Sequence, residues 1–193
     1  MPMLSSAQNI QLNYRIVRNG EEIGWMRLEK NIVGNNSELV LVSEIKTKIV
    51  FPITVFAKES SIFDKGKLVH SSQIRKTNGT IKLDKQTRLI ANEYEVLQNG
   101  DQKKLPFSTI NTNLLCLYFQ EPTGLKSVCS DNQQCFVKVT KTADGGYNVK
   151  FPNGNANCYY YKEGVCTKIK IVHALYSAEI ILITQTNSYA NNK

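Results

Sequence analysis

The chain has 193 residues, 41% of them hydrophobic and 21% charged. This suits one globular domain and excludes a disordered chain, which lacks the apolar surface needed to offset ordering entropy. No apolar run approaches the ~18 residues that a membrane-spanning helix requires. Lys and Arg number 24 against 16 Asp and Glu, a net charge of +8. The lysines are scattered singly, without the basic stripe that phosphate recognition needs, so no nucleic-acid partner is expected.

Residues 1–9 lack a charged leader and an apolar stretch, but resemble the small-residue end of a signal peptide cut after Ala7. The reading is a mature exported protein, periplasmic or secreted, with a native cytosolic start as the alternative. Residues 1–9 are expected to be a disordered remnant, 10–185 one antiparallel β-domain and 186–193 a flexible tail.

Turn chemistry then punctuates the chain. Asn-Gly occurs at Asn19-Gly20, Asn78-Gly79, Asn99-Gly100 and Asn153-Gly154, with further turns at Asp64-Lys65-Gly66, Asp144-Gly145-Gly146 and Glu163-Gly164. Asn-Gly favours the type I′ hairpin turn, whose twist matches that of the strands. Ile10, Leu12, Tyr14 and Ile16 alternate along the first strand, and a two-residue loop would pair Ile16 with Ile23 and Tyr14 with Trp25. In residues 39–51, Leu39, Leu41, Ile45, Ile49 and Phe51 point one way, and Glu38, Glu44, Lys46 and Lys48 the other. The next hairpin would pair Ile74 with Leu83 and Leu68 with Leu89. Segments 135–141, 147–151, 155–162, 165–172 and 175–185 follow. Such spacing predicts a mainly all-β fold: a curved antiparallel meander or half-open β-barrel. The one helical candidate, residues 108–120, is too apolar to lie in water and is expected to cover or plug the sheet.

Of the five cysteines, Cys129 and Cys135 flank a turn-like stretch and could be disulfide-bonded in an oxidising compartment. Cys158 and Cys166 are read as buried free thiols, because a Glu163-Gly164 turn pairs Cys166 with Tyr161 and Cys158 with Ile169, on opposite faces. Cys116, in the apolar helix, should have a raised pKa. No CxxC occurs and neither histidine has metal-like spacing to a cysteine, so neither a metal nor another cofactor is expected.

Three patterns then fall in a familiar order: Tyr14 with Asn19-Gly20-Glu21-Glu22-Ile23-Gly24, then Leu117-Tyr118-Phe119-Gln120-Glu121-Pro122, then Pro152-Asn153-Gly154 with Asn157-Cys158-Tyr159-Tyr160-Tyr161 and Gly164. Together they resemble an uncharacterised domain-of-unknown-function family of secreted or periplasmic Bacteroidetes proteins, from about Ile10 to Thr184. The resemblance implies a curved sheet or half-barrel round a short helix, distantly similar to periplasmic lipoprotein carriers. It carries no established activity and transfers no catalytic residue.

His70 alternates with Leu68, Ser72 and Ile74, and His173 with Ile169 and Ile171, so both are expected inward, as an acid/base pair, ligand contacts or satisfied core histidines. Glu121 is a candidate carboxylate at a pocket mouth, or simply ends the helix. Alternation groups Tyr160 with Cys158 and Tyr147, and Tyr159 with Tyr161 and Lys150; one of these faces should be exposed. The leading expectation is a non-catalytic exported protein that binds a hydrophobic or lipid-like molecule on its concave face, lined by Tyr14, Trp25, Phe51, Phe56, Tyr118 and Phe119. The alternatives are an enzyme with a pocket near His70 or His173, using Glu121 or Tyr160, and an envelope-associated interaction module using strand edges or the Tyr159/Tyr161 face.

Overall fold

The computed structural model describes residues 7–48, 51–173 and 176–190. Among the described residues, fourteen strands form one antiparallel sheet. The first meander comprises β1 (Ala7–Arg18), β2 (Glu21–Val33), β3 (Asn36–Lys48), β4 (Pro52–Asp64), β5 (Lys67–Thr77), β6 (Thr80–Ile90), β7 (Glu93–Gln98) and β8 (Asp101–Lys104). The second comprises β9 (Ser127–Ser130), β10 (Cys135–Lys141), β11 (Tyr147–Lys150), β12 (Ala156–Lys162), β13 (Val165–His173) and β14 (Tyr176–Ala190). β14 pairs with β1 along its length, so the spatial order runs from β8 down to β1, then from β14 down to β9. The sheet curls until its two flanks meet: Gln134, beyond β9, donates to Gln98 at the end of β7 (2.9 Å), and Phe107, beyond β8, packs edge-on against Phe136 of β10 (5.1 Å between centroids).

The strands extend past the expected bounds, since Ala7, Gln8 and Asn9 pair with both β2 and β14, and residues 186–190 belong to β14. Ile49 and Leu175 lie outside the described residues. Phe51 is 75% exposed and lies just ahead of β4, a correction to its inward assignment.

Asn19-Gly20, Lys65-Gly66, Asn78-Gly79, Asn99-Gly100 and Glu163-Gly164 each have positive φ at both residues, as type I′ turns require. Ala91-Asn92 adds a turn that sequence composition hides. At Asn153-Gly154 only Gly154 has positive φ, within the wider loop between β11 and β12. In four of the hairpins an extra residue stands three places after the turn glycine: Ile23, Val69, Lys82 and Thr167. Each β-bulge shifts the pairing by one residue and strengthens local twist. Tyr14 therefore lies opposite Met26, and Trp25 lies opposite Arg15 on the outer face, 43% exposed. Ile74 faces Asp84 rather than Leu83, and Cys158 faces Lys170 rather than Ile169.

The expected helix at 108–120 is only a 3-10 turn, Leu114–Tyr118. The backbone ahead of it is claimed by the sheet: Leu68 N–H donates to the Ile110 carbonyl (2.8 Å), Cys129 N–H to the Thr112 carbonyl (3.1 Å), and Asn113 bridges to Cys129. Those groups cannot also close helical hydrogen bonds. The segment still fills the curl as expected, with Ile110, Leu115, Leu117 and Tyr118 buried against Leu12, Tyr14, Leu28, Leu39, Tyr159 and Ile169.

Gly24 follows the first bulge, and a Cβ there would lie 2.1 Å from the Glu44 carbonyl oxygen and 2.9 Å from the Ile45 Cα. Gly24→Ala is expected to force β2 from β3 and lower stability by about 2–3 kcal/mol. Gly20→Ala strains only a positive φ in open space, for about 1 kcal/mol. Thermal unfolding of the two variants checks this; equal losses would mean that β3 yields to the added methyl.

Candidate functional site

Cross-strand rows on the inner face change character across the sheet. One row runs Leu12, Leu28, Leu41, Glu59, Gln73, Lys85, Gln98, from β1 to β7. The next runs Leu39, Ser61, Ser71, Thr87, Val96. Apolar on β1–β3, the wall becomes polar on β4–β6, where Ser61, Ser71, Gln73, Lys85 and Thr87 are all buried. Buried polar groups need partners, and Asp131, in the turn between β9 and β10, supplies several. Ser71 Oγ donates to Asp131 Oδ1 (2.7 Å) and Asn113 Nδ2 to Oδ2 (2.9 Å). Asn113 Nδ2 also donates to Ser61 Oγ (2.7 Å). Lys85 Nζ donates to the carbonyls of Asp131 (3.2 Å) and Asn132 (2.9 Å).

Burial dominates the electrostatics here. Desolvation raises the pKa of Glu59 and of Asp131 and lowers that of Lys85, while hydrogen bonds and opposite charges pull each partway back. Gln73, directly opposite Glu59 in the ladder, hydrogen-bonds the Glu59 carboxylate. The carboxylate only accepts, so the amide nitrogen of Gln73 faces it. That leaves Gln73 Oε1 buried with no hydrogen-bond partner.

The polar wall opens into a cavity of about 320 Å³. Glu59, Gln73 and Arg75 form one side, and Asp131, Asn132 and Gln133 a second. Phe151, Asn153, Asn155 and Asn157 approach from the β11–β12 connection and β12. Leu41, Leu114, Tyr118, Tyr159, Ile171 and Tyr176 make its apolar part. Glu59 and Asp131 are balanced by Arg75 and Lys85. Both oxygens of Asp131 are engaged, so a proton relay through it would break the tether that holds its turn. Among the described residues no cluster of His, Cys, Asp and Glu could hold a metal ion, and no helix is long and apolar enough to cross a membrane.

Few of the sequence-derived candidates meet here. Tyr118 lines the cavity, but Tyr14 is core: its hydroxyl donates to the Cys166 carbonyl (2.8 Å) and its ring packs edge-on to Tyr118 (5.8 Å). Phe119 is half-buried beside Lys30, whose Nζ lies 5.8 Å from the ring centre. Phe56 shares the outer face with Trp25 and Glu44, as the pairings Trp25–Glu44 and Glu44–Phe56 require. The bulge at Val69 moves His70 to the outer face opposite Ile62 and Arg88, where desolvation, then Arg88, lowers its pKa. His173 stacks on Tyr176 (4.7 Å), and five strands stand between the strands of the two histidines. Glu121 borders a separate hollow of about 280 Å³, its carboxylate accepting from Tyr147 Oη (2.7 Å).

Tyr159 is buried and pairs with Tyr147, which packs edge-on against Tyr161 (5.7 Å), so these three share the inner face. Tyr160 alone turns outward, donating to Asp144 (2.8 Å) under Lys170. This corrects the grouping of Tyr160 with Tyr147 and the exposed Tyr159/Tyr161 face. All five cysteines are free. Cys129 pairs with Phe136 and Cys135 with Ser130, so adjacent residues on opposite faces cannot meet in the expected disulfide. Burial pushes the Cys116 thiol up to about 11.

Glu59, Gln73, Arg75 and Asp131 escaped the sequence reading. Their signal was the polar pairs Ser60-Ser61 and Ser71-Ser72, sitting mid-strand where apolar residues should recur.

Residues 14–183 match the domain of unknown function DUF6134. No curated protein matches the chain. Among solved structures, the chain is similar to a β-barrel-like protein of the domain of unknown function DUF1849 from Brucella abortus, with a TM-score of 0.57 and 11% sequence identity over 96% of this chain and 98% of that one. That likeness concerns the fold alone.

Two outcomes follow from the buried charges. Asp131→Ala takes the acceptor from Ser71, one of two acceptors from Asn113 and the opposing charge from Lys85, and should lower stability by about 3–5 kcal/mol, with Asp131→Asn losing less. Because the Glu59 pKa is raised, the folded state keeps its proton to higher pH than the unfolded chain, so this group's contribution falls as pH rises through that window. Glu59→Gln should therefore gain on the wild type between pH 4 and 8. Urea midpoints across that range check both, and a constant gap between wild type and Glu59→Gln would contradict the second.

Proposed function

The chain belongs to the DUF6134 family, a domain of unknown function, and from that premise we propose that it is a non-catalytic binding protein whose cavity takes a small molecule, polar at one end and apolar at the other. The observation that carries this reading is the cavity of about 320 Å³ itself, with Glu59, Gln73 and Arg75 on one side and Leu41, Leu114 and Tyr118 in its apolar part. Volume and lining suit a small ligand, since ligand cavities run from about 300 to 1,000 Å³ and combine apolar walls with a few placed polar groups.

A wholly lipid-like ligand fits less well. Of the aromatic residues expected to line a greasy hollow, Tyr118 alone reaches this cavity, and an acyl chain would bring no polar group to the side made by Glu59, Gln73 and Arg75. Export is part of the proposal, on the strength of the small-residue Ser5-Ser6-Ala7 stretch alone; recovery of the native protein in the cytosolic fraction would remove it.

Asn132 is exposed, and its side chain lies on the cavity rim. Native mass spectrometry of protein purified from its own cells should reveal a bound small molecule that Asn132→Trp no longer retains. If wild type carries nothing and cell extract shifts its melting temperature no more than that of Asn132→Trp, the binding reading fails.

A further inference from the structure

We propose that the polar end of the ligand is a single carboxylate, received by the guanidinium of Arg75 on the cavity wall. The inference rests on the binding reading above and narrows it to a chemical class. Gln73 Oε1 is buried without a partner, and Glu59 is the residue directly across the ladder from it. A protonated carboxyl group has the O–H donor that an ionised one lacks. Acid and amide then pair twice, the Glu59 hydroxyl donating to Gln73 Oε1 and the Gln73 amide nitrogen to the other Glu59 oxygen. That pair needs nothing from the cavity, so it satisfies an acceptor that is shut off from it. Burial favours the same state, because it penalises the charged form of Glu59.

With Glu59 neutral, one positive charge on the wall is left over. Asp131 matches Lys85, whose Nζ already donates to the Asp131 and Asn132 carbonyls (3.2 and 2.9 Å). Arg75 has no such counterpart. It faces inward opposite Ala57, lines the cavity and is only partly buried, so a ligand can reach it. Among the described residues it enters no hydrogen bond and none of the close ion pairs, which are Arg27–Glu29, Lys46–Glu44, Lys104–Glu93 and Lys168–Glu179. A planar fork of N–H donors fits a carboxylate through two parallel hydrogen bonds. One negative charge restores the balance. A phosphate monoester, with about two charges, overshoots it, and an ammonium adds to the surplus. The apolar remainder of the ligand then meets Leu41, Leu114 and Tyr118.

Calorimetric titration of the full chain at neutral pH tests this with octanoate, octanol, octylammonium and octyl phosphate, which share a tail and differ only at the polar end. Octanoate should bind about tenfold or more tightly than the other three. Arg75→Gln should remove that preference. Asn132→Trp, altered only at the exposed rim, should block octanoate and serves if Arg75→Gln does not fold. Glu59→Gln separates the two charge states: it should leave octanoate affinity unchanged, since one neutral group replaces another. A gain of about tenfold there would mean that an ionised Glu59 had been neutralising Arg75, and would overturn the proposal. Octanoate binding no better than octanol, or as well in Arg75→Gln and Asn132→Trp as in wild type, also overturns it and leaves the small-molecule reading standing. If octanoate does not bind, the carboxylate falls; the binding reading falls with it only when protein from its own cells carries no ligand mass and cell extract does not stabilise it.

Discussion

A sheet of fourteen strands wound until its flanks touch encloses a space that has to be filled, and here the filler is the chain between the two meanders, residues 105–126. That constraint orders the rest of the molecule. A segment inside a curl cannot leave its peptide groups unpaired, and this one lends them to the wall: Leu105 N–H to the Tyr94 carbonyl (2.8 Å), Glu121 N–H to the Gly164 carbonyl (3.1 Å), and Val139 N–H to the Lys126 carbonyl (2.9 Å). Tyrosine hydroxyls complete the lacing. Tyr161 donates to the Leu117 carbonyl (2.8 Å), and Tyr94 both donates to Leu68 and accepts from the Ile110 N–H. Burial lifts the Tyr14, Tyr94, Tyr118 and Tyr161 hydroxyls above their usual range, so they stay protonated donors at neutral pH.

The filler is not uniform, and neither is the wall. Leu115, Leu117 and Tyr118 meet the apolar half made by β1–β3 with β12 and β13. Asn113, two residues earlier, is fully buried and meets the polar half through Ser61 and Asp131. The curl is thus held on one side by apolar contact and on the other by a hydrogen-bonded knot of three strands, Asn113 and a turn. A knot of that kind adds less net stability than an equal volume of leucine, because its charges have lost their water. What it supplies is a definite register for the Asp131 turn, whose displacement would leave Lys85 and Ser71 without these acceptors and Asn113 with Ser61 in place of two. The cavity opens along the seam where the two halves meet, which is why Leu41 and Glu59, neighbours in one cross-strand row, line the same space.

Fold class was legible because turn glycines and alternation are local signals. Asn19-Gly20, Asn78-Gly79 and Asn99-Gly100 carry the positive φ values that their composition announces. The faces were less legible, because a bulge is one residue of pairing, settled between strands and invisible to the alternation within either. Trp25 reads as a partner of Tyr14 until Ile23 is set aside; His70 reads as the neighbour of Leu68 until Val69 is. The Asn99-Gly100 hairpin has no bulge, pairing Gln98–Asp101 through Glu95–Lys104 without a shift, so turn type alone does not predict one. The helix at 108–120 failed for a related reason, its apolar spacing being genuine while its carbonyls already belonged to Leu68 and Cys129.

The feature that hid the site from sequence is also the one that builds it. Leu68, the second residue of β5, faces the core. Unbroken alternation from there would carry His70, Ser72 and Ile74 inward, leaving Ser71 and Gln73 in solvent. Val69 adds one residue, the parity inverts, and Ser71, Gln73 and Arg75 come to the inner wall opposite Ser61, Glu59 and Ala57. The same shift removes the imidazole from the interior and places it beside Arg88. A single extra residue thus exchanges a histidine-bearing apolar strand for an amide-bearing polar one. The chemical character of the cavity is a matter of register before it is a matter of composition.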